Sequence, residues 1–332
     1  MPRFFAKLSL SLTLCAAAFA ECPCDTALDG GFGNLELGGS FLLWKACVDD
    51  LDFAAELRED QFDYKDLCAA WDPGYRFWAV KPDLYEGWDI QGSYTYLRST
   101  ANKEILSEEN NIYPTLFHPA LFDALSFRAE GHYVSQYNAW DVLAAYPLDC
   151  LDPVFQVSPF FGVAGIYLTQ TLNADYEGPV VGGALATYRT YWDSALWGAG
   201  LKTGIDCVLQ AGPKSYFFGN ASALLLGCEA RRGRNLQTIA TGPGLVQVRF
   251  DDGDRCLIVP GYQIAVGASL DASFCNVVMG LHLGFEMTRY YNVPNARRFM
   301  GDQLTTQAAL STSSNVRTFG FQGIVAGGDI LF

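Results

Sequence analysis

The chain has 332 residues, and 36 acidic against 22 basic side chains give it a formal net charge of −14. An acidic balance without basic blocks speaks against a nucleic-acid partner. Half the residues are hydrophobic and only 17% are charged, where soluble domains carry about a quarter, and after residue 20 no apolar run reaches the ~18 residues of a membrane helix.

Residues 1–20 read as a secretory signal. Arg3 and Lys7 make a positive start, Leu8 to Ala18 is a short apolar stretch, and Ala18-Phe19-Ala20 is an A-x-A cleavage site. Leu14 is too large to precede a lipidated cysteine, so Cys15 is expected to leave with the leader. The remainder, 21–332, reads as one domain without repeat or linker. Gly30-Gly31-Phe32-Gly33 precedes a strand pattern and no helix, so it is no nucleotide loop.

Breakers then divide the chain into ten strand candidates: 33–46, 66–81, 88–98, 125–146, 154–170, 187–209, 213–231, 255–271, 275–291 and 315–332. Their connections alternate in length. Long ones fall at 47–65, 99–124, 171–186, 232–254 and 292–314, short ones at 82–87, 147–153, 210–212 and 272–274. Short periplasmic turns and long outer loops are the habit of outer-membrane barrels, and the even count puts both ends in the periplasm. Residues 52–58 and 245–250 also read as strands, which makes twelve the alternative count. Pro73 and Pro159 sit inside proposed strands, where proline is uncommon.

Within the strands, side chains alternate in polarity. In 88–97, Trp88, Ile90, Tyr94 and Tyr96 oppose Asp89, Gln91, Ser93 and Thr95. In 194–209, Ala195, Trp197, Leu201, Ile205 and Leu209 oppose Ser194, Lys202 and Asp206. In 258–271, Ile258, Tyr262, Ile264, Val266 and Leu270 oppose Gln263, Ser269 and Asp271; in 281–288, Leu281, Leu283, Phe285 and Met287 oppose His282, Gly284, Glu286 and Thr288. Successive strand residues point to opposite sides, so one face suits lipid and the other a watery lumen. Arginine at Tyr94 or Phe285 should then hinder insertion, and Gln91 or Gly284 should tolerate it better.

The expected class is therefore all-β: a transmembrane antiparallel β-barrel of about ten strands in a bacterial outer membrane. A soluble β-sandwich is the competitor, but it would have to hide 23 Phe, 17 Tyr and 7 Trp. The last segment, TFGFQGIVAGGDILF (318–332), favours the barrel. Ile324, Ala326, Gly328, Ile330 and Phe332 share one face, as in the closing strand of an outer-membrane barrel. Such a strand must pair with the first, because an open edge in lipid leaves backbone groups unpaired.

Six segments carry a family resemblance: GGSFLLWKACVDDLDFA (38–54), AAWDPGYRFWA (69–79), GWDIQGSYTYLRS (87–99), LWGAGLKTGIDC (196–207), LLLGCEA (224–230) and GIVAGGDILF (323–332). The chain resembles the major outer membrane protein family of Legionella and Chlamydia-related bacteria over most of its length. The resemblance implies a porin-like barrel, often rich in cysteine, with no catalytic motif to carry over.

A porin needs a wet lumen and charges that set a field across it. The candidate lining is Asp89, Gln91, Ser93, Thr95, Lys202, Asp206, Gln263, Ser269, His282 and Glu286. The expected function is passive diffusion of small hydrophilic solutes, with a structural role in the envelope. A small barrel can also be filled by its own side chains, so a coat or adhesin barrel without an open pore is the alternative.

A hydrolase is the third reading. The three histidines are His118, His132 and His282. Of these, His282 shares a face with Glu286, four residues and about 13 Å along a strand, too far for contact. With no G-x-S-x-G or H-E-x-x-H motif, no enzyme, cofactor or metal is expected.

Asp49, Asp50, Asp52, Glu56, Glu59, Asp60, Asp63 and Asp66 make the first outer connection acidic, a vestibule for cations, but without EF-hand spacing. Arg231, Arg232 and Arg234 fall where the seventh strand should leave the membrane, placed to meet lipopolysaccharide phosphates. Asn220-Ala-Ser222 is a sequon in mid-strand and carries no weight.

Without Cys15, nine cysteines remain for an oxidising compartment. Cys47 and Cys68 bracket the first outer loop, Cys228 and Cys256 the fourth, and either pair would close a loop base. Cys22, Cys24, Cys150, Cys207 and Cys275 fall toward the periplasm. An odd number cannot all pair internally, so disulfides to a second copy or to other cysteine-rich envelope proteins are expected.

Overall fold

Period-two alternation dictates strands, and the chain forms fifteen among its described residues. The computed structural model describes residues 35–59, 61–118, 121, 125–152, 154–179, 185–241, 244–274, 277–299 and 312–331. The expected leader and Phe332 lie outside them.

The strands are β1 (Glu36–Val48), β2 (Asp52–Arg58), β3 (Gln61–Asp66), β4 (Trp71–Tyr85), β5 (Trp88–Leu106), β6 (Ile112–Pro114), β7 (Arg128–Ala145) and β8 (Leu148–Asp152). They continue as β9 (Phe155–Pro179), β10 (Leu185–Gly212), β11 (Ser215–Thr241), β12 (Gly244–Asp251), β13 (Arg255–Phe274), β14 (Val277–Phe299) and β15 (Thr312–Leu331). Ten of them close an antiparallel ring in the order β1-β4-β5-β7-β9-β10-β11-β13-β14-β15. It shuts where β15 pairs β1 from Glu36↔Leu331 to Val48↔Phe319. No edge is left in lipid, as the terminal segment led one to expect. Residues 52–58 and 245–250 are strands outside the ring: β2 joins β3 and β6 in a small sheet, and β12 pairs β11 alone. Pro73 and Pro159 sit inside β4 and β9.

The short turns follow from local chemistry. Between β4 and β5 the chain reverses through Glu86 (φ 48°) and Gly87 (φ 84°), with Tyr85 opposite Trp88. Two residues at positive φ suit the right-handed twist of the flanking strands, and glycine adopts that conformation freely.

Four long connections are shorter than expected, because the strands run on into them. Residues 99–106 continue β5, 171–179 and 185–186 continue β9 and β10, 232–241 continue β11, and 292–299 and 312–314 continue β14 and β15. The polarity of the alternation inverts there. Along the membrane part of β9, Phe161, Val163 and Tyr167 face outward. Further along, Thr169, Thr171, Asn173, Asp175 and Glu177 alternate with buried Leu168, Leu172, Ala174 and Tyr176. Spanning a bilayer takes about 9–11 tilted residues, and β10 has 28. The ring therefore projects from the membrane, polar outside and apolar within.

That apolar interior is a core. Phe53, Leu116 and Phe117 fill it against Tyr133, Tyr176, Tyr188 and Trp192, all at or below 2% exposure. Tyr176 donates its hydroxyl to the Phe53 carbonyl, and Gln237 donates to the Leu116 carbonyl at 3.2 Å. Phe53 lies on the bare backbone of Gly131, where a Cβ would stand 2.8 Å from its ring. The acidic first connection thus folds into β2 and β3. Glu56 binds Arg58 at 2.9 Å and Lys65 at 3.1 Å, and these partners hold its carboxyl below the usual range.

Candidate functional site: the barrel lumen

Inward-facing residues of the membrane part line a cavity of about 710 Å³. Glu36, Gln91, Asp206, Ser269, Asp271 and His282 line its periplasmic part. Asp206 accepts from the Asn220 amide, and Ser40 Oγ lies 2.9 Å from His282 Nε2.

Above them a girdle of hydrogen bonds runs round the lumen. Arg76 on β4 donates to both Glu286 oxygens on β14, at 2.8 and 2.9 Å, and to Thr95 Oγ1 at 2.9 Å. Gln263 on β13 donates to Glu286 at 2.6 Å and accepts from Lys202 on β10 at 3.0 Å. Lys202 also donates to Asp141 on β7 at 2.7 Å, and Ser93 on β5 donates to the other Asp141 oxygen at 2.7 Å. Two cations and two carboxylates neutralise one another. Glu286 and Lys202 are 2% and 7% exposed. Buried charge is tolerated when paired and hydrogen-bonded, and a bidentate arginine is the strong form of such a pair.

The next layer bridges the ring. Tyr137 on β7 and Tyr290 on β14 come from strands five places apart in a ring of ten, so from opposite walls. Their hydroxyls are 2.7 Å apart, and both rings are buried. Gln170 on β9 donates to the Pro294 carbonyl on β14 at 2.9 Å and accepts from Tyr133 at 2.8 Å. Phe321 packs edge-on against Tyr137, and Trp44 and Phe319 pack against Phe321 in turn.

Of the residues picked from alternation, all but one line the cavity: Gln91, Ser93 and Thr95 from β5, Lys202 and Asp206 from β10, Gln263 and Ser269 from β13, His282 and Glu286 from β14. Asp89 differs. It accepts from the Asp83 backbone N–H at 2.8 Å and ties down the β4–β5 turn. Arg76, Asp141, Tyr137, Tyr290, Ser40 and Asp329 were missed. Parity alone would have found Asp141, between outward Trp140 and Val142.

The family described as Legionella pneumophila major outer membrane protein precursor matches residues 32–332. The chain belongs to it. It is a bacterial outer-membrane protein. Among solved structures the barrel is similar to the outer membrane protease OmpT from Escherichia coli, at 11% identity and TM-score 0.44, over 90% of this chain and 97% of that one. It is also similar to a Pseudomonas aeruginosa FadL homologue, at 7% identity and TM-score 0.24, over 90% of each. No curated protein matches it.

In this family member Cys47, Cys68, Cys207, Cys228 and Cys256 are free thiols. Cys22, Cys24 and Cys275 lie outside the described residues, as does the Cys150 side chain. The two proposed loop-base disulfides do not form, and register explains why. Cys256 pairs with Glu229, one place from Cys228. An offset of one residue puts side chains on opposite faces of a sheet, so Cys228 is buried in the lumen and Cys256 is exposed. The ladder of Lys45↔Trp71, if continued, sets Cys47 opposite Ala69 and misses Cys68 in the same way. In intact cells a membrane-impermeant maleimide should label Cys68 and Cys256 and spare Cys228 until the barrel is unfolded. Labelling of Cys228 in the folded protein would show the register to be wrong.

Arg231 is exposed, binds Glu229 at 2.7 Å and lies 5.9 Å over the Trp197 ring. Arg234 is exposed also, and the Arg232 side chain lies outside the described residues.

Proposed function

We propose that the protein is a structural outer-membrane barrel, closed at rest, that stiffens the envelope and presents its projecting rim outside. The meeting of Tyr137 and Tyr290 from opposite walls carries this reading. The core of Phe53, Leu116 and Phe117 supports it, because a solute would have to part packed apolar side chains on the same axis. Arg231, stacked on the Trp197 that heads the outward apolar row of β10, is the contact offered to lipopolysaccharide phosphate. Cross-links to a second copy or to another envelope protein would use the exposed thiols Cys68 and Cys256.

Diffusion of small hydrophilic solutes is the second reading, favoured by the polar cavity below the girdle. Planar-bilayer recording with the purified, refolded protein separates the two. A closed barrel should give insertions without steady current steps in molar salt. Reproducible ohmic steps would overturn the structural reading in favour of the porin one.

A further inference from the structure

In the periplasmic part of the cavity, three neighbouring strands bring a serine, a histidine and an aspartate together. Ser40 on β1 and His282 on β14 both pair in register with Gly327 on the strand between them, β15. A side chain at Gly327 would separate them, since its Cβ would stand 2.6 Å from both Ser40 Oγ and His282 Nε2. Without one, serine and histidine meet over the glycine at 2.9 Å. Two residues along β15, Asp329 pairs with Gly38 on β1 and Gly280 on β14. A Cβ at Gly280 would strike the Asp329 carboxylate at 2.5 Å. That carboxylate lies 3.8 Å from His282 Nδ1. The rows Ser40-Gly327-His282 and Gly38-Asp329-Gly280 form a checkerboard in which glycines clear the ground between the polar groups. The reading from spacing paired His282 with Glu286 on its own strand; the fold gives it partners from two others.

The geometry points to an acyl-transfer site, with Ser40 as nucleophile, His282 as general base and Asp329 orienting the imidazole, for small carboxylic esters entering from the periplasmic mouth. Such a constellation is recognised by geometry and roles, not by chain order. Ser40 Oγ attacks the ester carbonyl carbon while its proton passes to His282 Nε2. The tetrahedral intermediate collapses, the C–O bond to the leaving group breaks, and His282 returns the proton to the departing alcohol. Water then attacks acyl-Ser40 with His282 again as base, releasing the acid and restoring Ser40. His282 turns Nε2 to Ser40 and Nδ1 to Asp329, the arrangement these roles require. The Trp78 indole lies 5.2 Å from the His282 ring, centroid to centroid, and donates its N–H to Glu36 at 3.4 Å, so it walls the histidine on the lumen side. The cavity is in the range of small-molecule sites, about 300–1,000 Å³.

The test uses the full-length barrel folded in lipid and a small alkyl fluorophosphonate. The expected result is one adduct per barrel, on the peptide containing Ser40. It should be absent in Ser40→Ala and form about a hundredfold more slowly in His282→Asn. Asp329→Asn should slow it less, and all three should keep the mobility of a folded barrel on unheated gels. A Ser40→Cys variant treated with a small methanethiosulfonate reports access. Two results overturn the proposal: no adduct on Ser40 in the folded protein, whether or not Cys at position 40 is reached, or an adduct that forms as fast in His282→Asn.

Discussion

Arg76→Ala is expected to destabilise the barrel more than any surface substitution. Arg76 supplies both hydrogen bonds to the paired oxygens of Glu286, a carboxylate 2% exposed in the girdle. Without it Glu286 keeps only the neutral donors Gln263 and Thr288. Removing one partner of a buried pair leaves an uncompensated charge and costs about 3–5 kcal/mol. The packing of the guanidinium over Trp44, 5.5 Å to the ring centroid, is lost as well. Arg76→Lys should recover only part, since an ammonium is a point charge and cannot grip both oxygens in one plane. The double variant Arg76→Met with Glu286→Leu should be markedly more stable than Arg76→Ala, because it removes both charges together. Denaturant unfolding in lipid, followed by the loss of the folded gel band, measures all three. An unchanged midpoint for Arg76→Ala would mean that the pair does not bear on the fold.

Phe285→Arg is expected to block or weaken membrane insertion. Phe285 faces outward on β14, 46% exposed, in the row of Leu281 and Leu283. A guanidinium at mid-membrane on the lipid face costs about 2–4 kcal/mol. Gln91→Arg should insert nearly as well as the wild type, because Gln91 lines the cavity. Gly284 cannot serve as the second tolerant site that alternation suggests. It does face inward, but a Cβ there would lie 2.7 Å from the Val266 carbonyl and 3.0 Å from the Phe218 ring. Comparing the yield of folded protein in lipid vesicles for Phe285→Arg and Gln91→Arg checks the facing of the wall. Equal yields would refute it.

The membrane part of the wall was legible because its signal is local. Trp197, Leu201 and Ile205 declare an outward face wherever the strand lies, and the facing of Lys202 and Asp206 follows by parity. The projecting part was misread for the same reason. Where β9 leaves lipid, Thr171, Asn173 and Asp175 take the outward places and the apolar residues turn inward, so the pattern resembles a polar loop if one polarity is assumed throughout. The cysteines failed on a single register step. Bracketing the same loop put Cys228 and Cys256 close in sequence space, and the ladder put them on opposite faces.

β-Structure, ten ring strands and the outer-membrane setting came from the sequence by itself, because period-two alternation is a property of adjacent residues. Which side chains meet across the lumen was decided only by the tertiary structure. Tyr137 and Tyr290, 153 residues apart, meet because ring size and register bring opposite walls to the same height. Ser40 and His282, 242 residues apart, meet because the strand closing the ring has a glycine between them. Contacts of this kind depend on strand number and stagger, quantities to which every strand contributes and which no stretch of the chain carries alone.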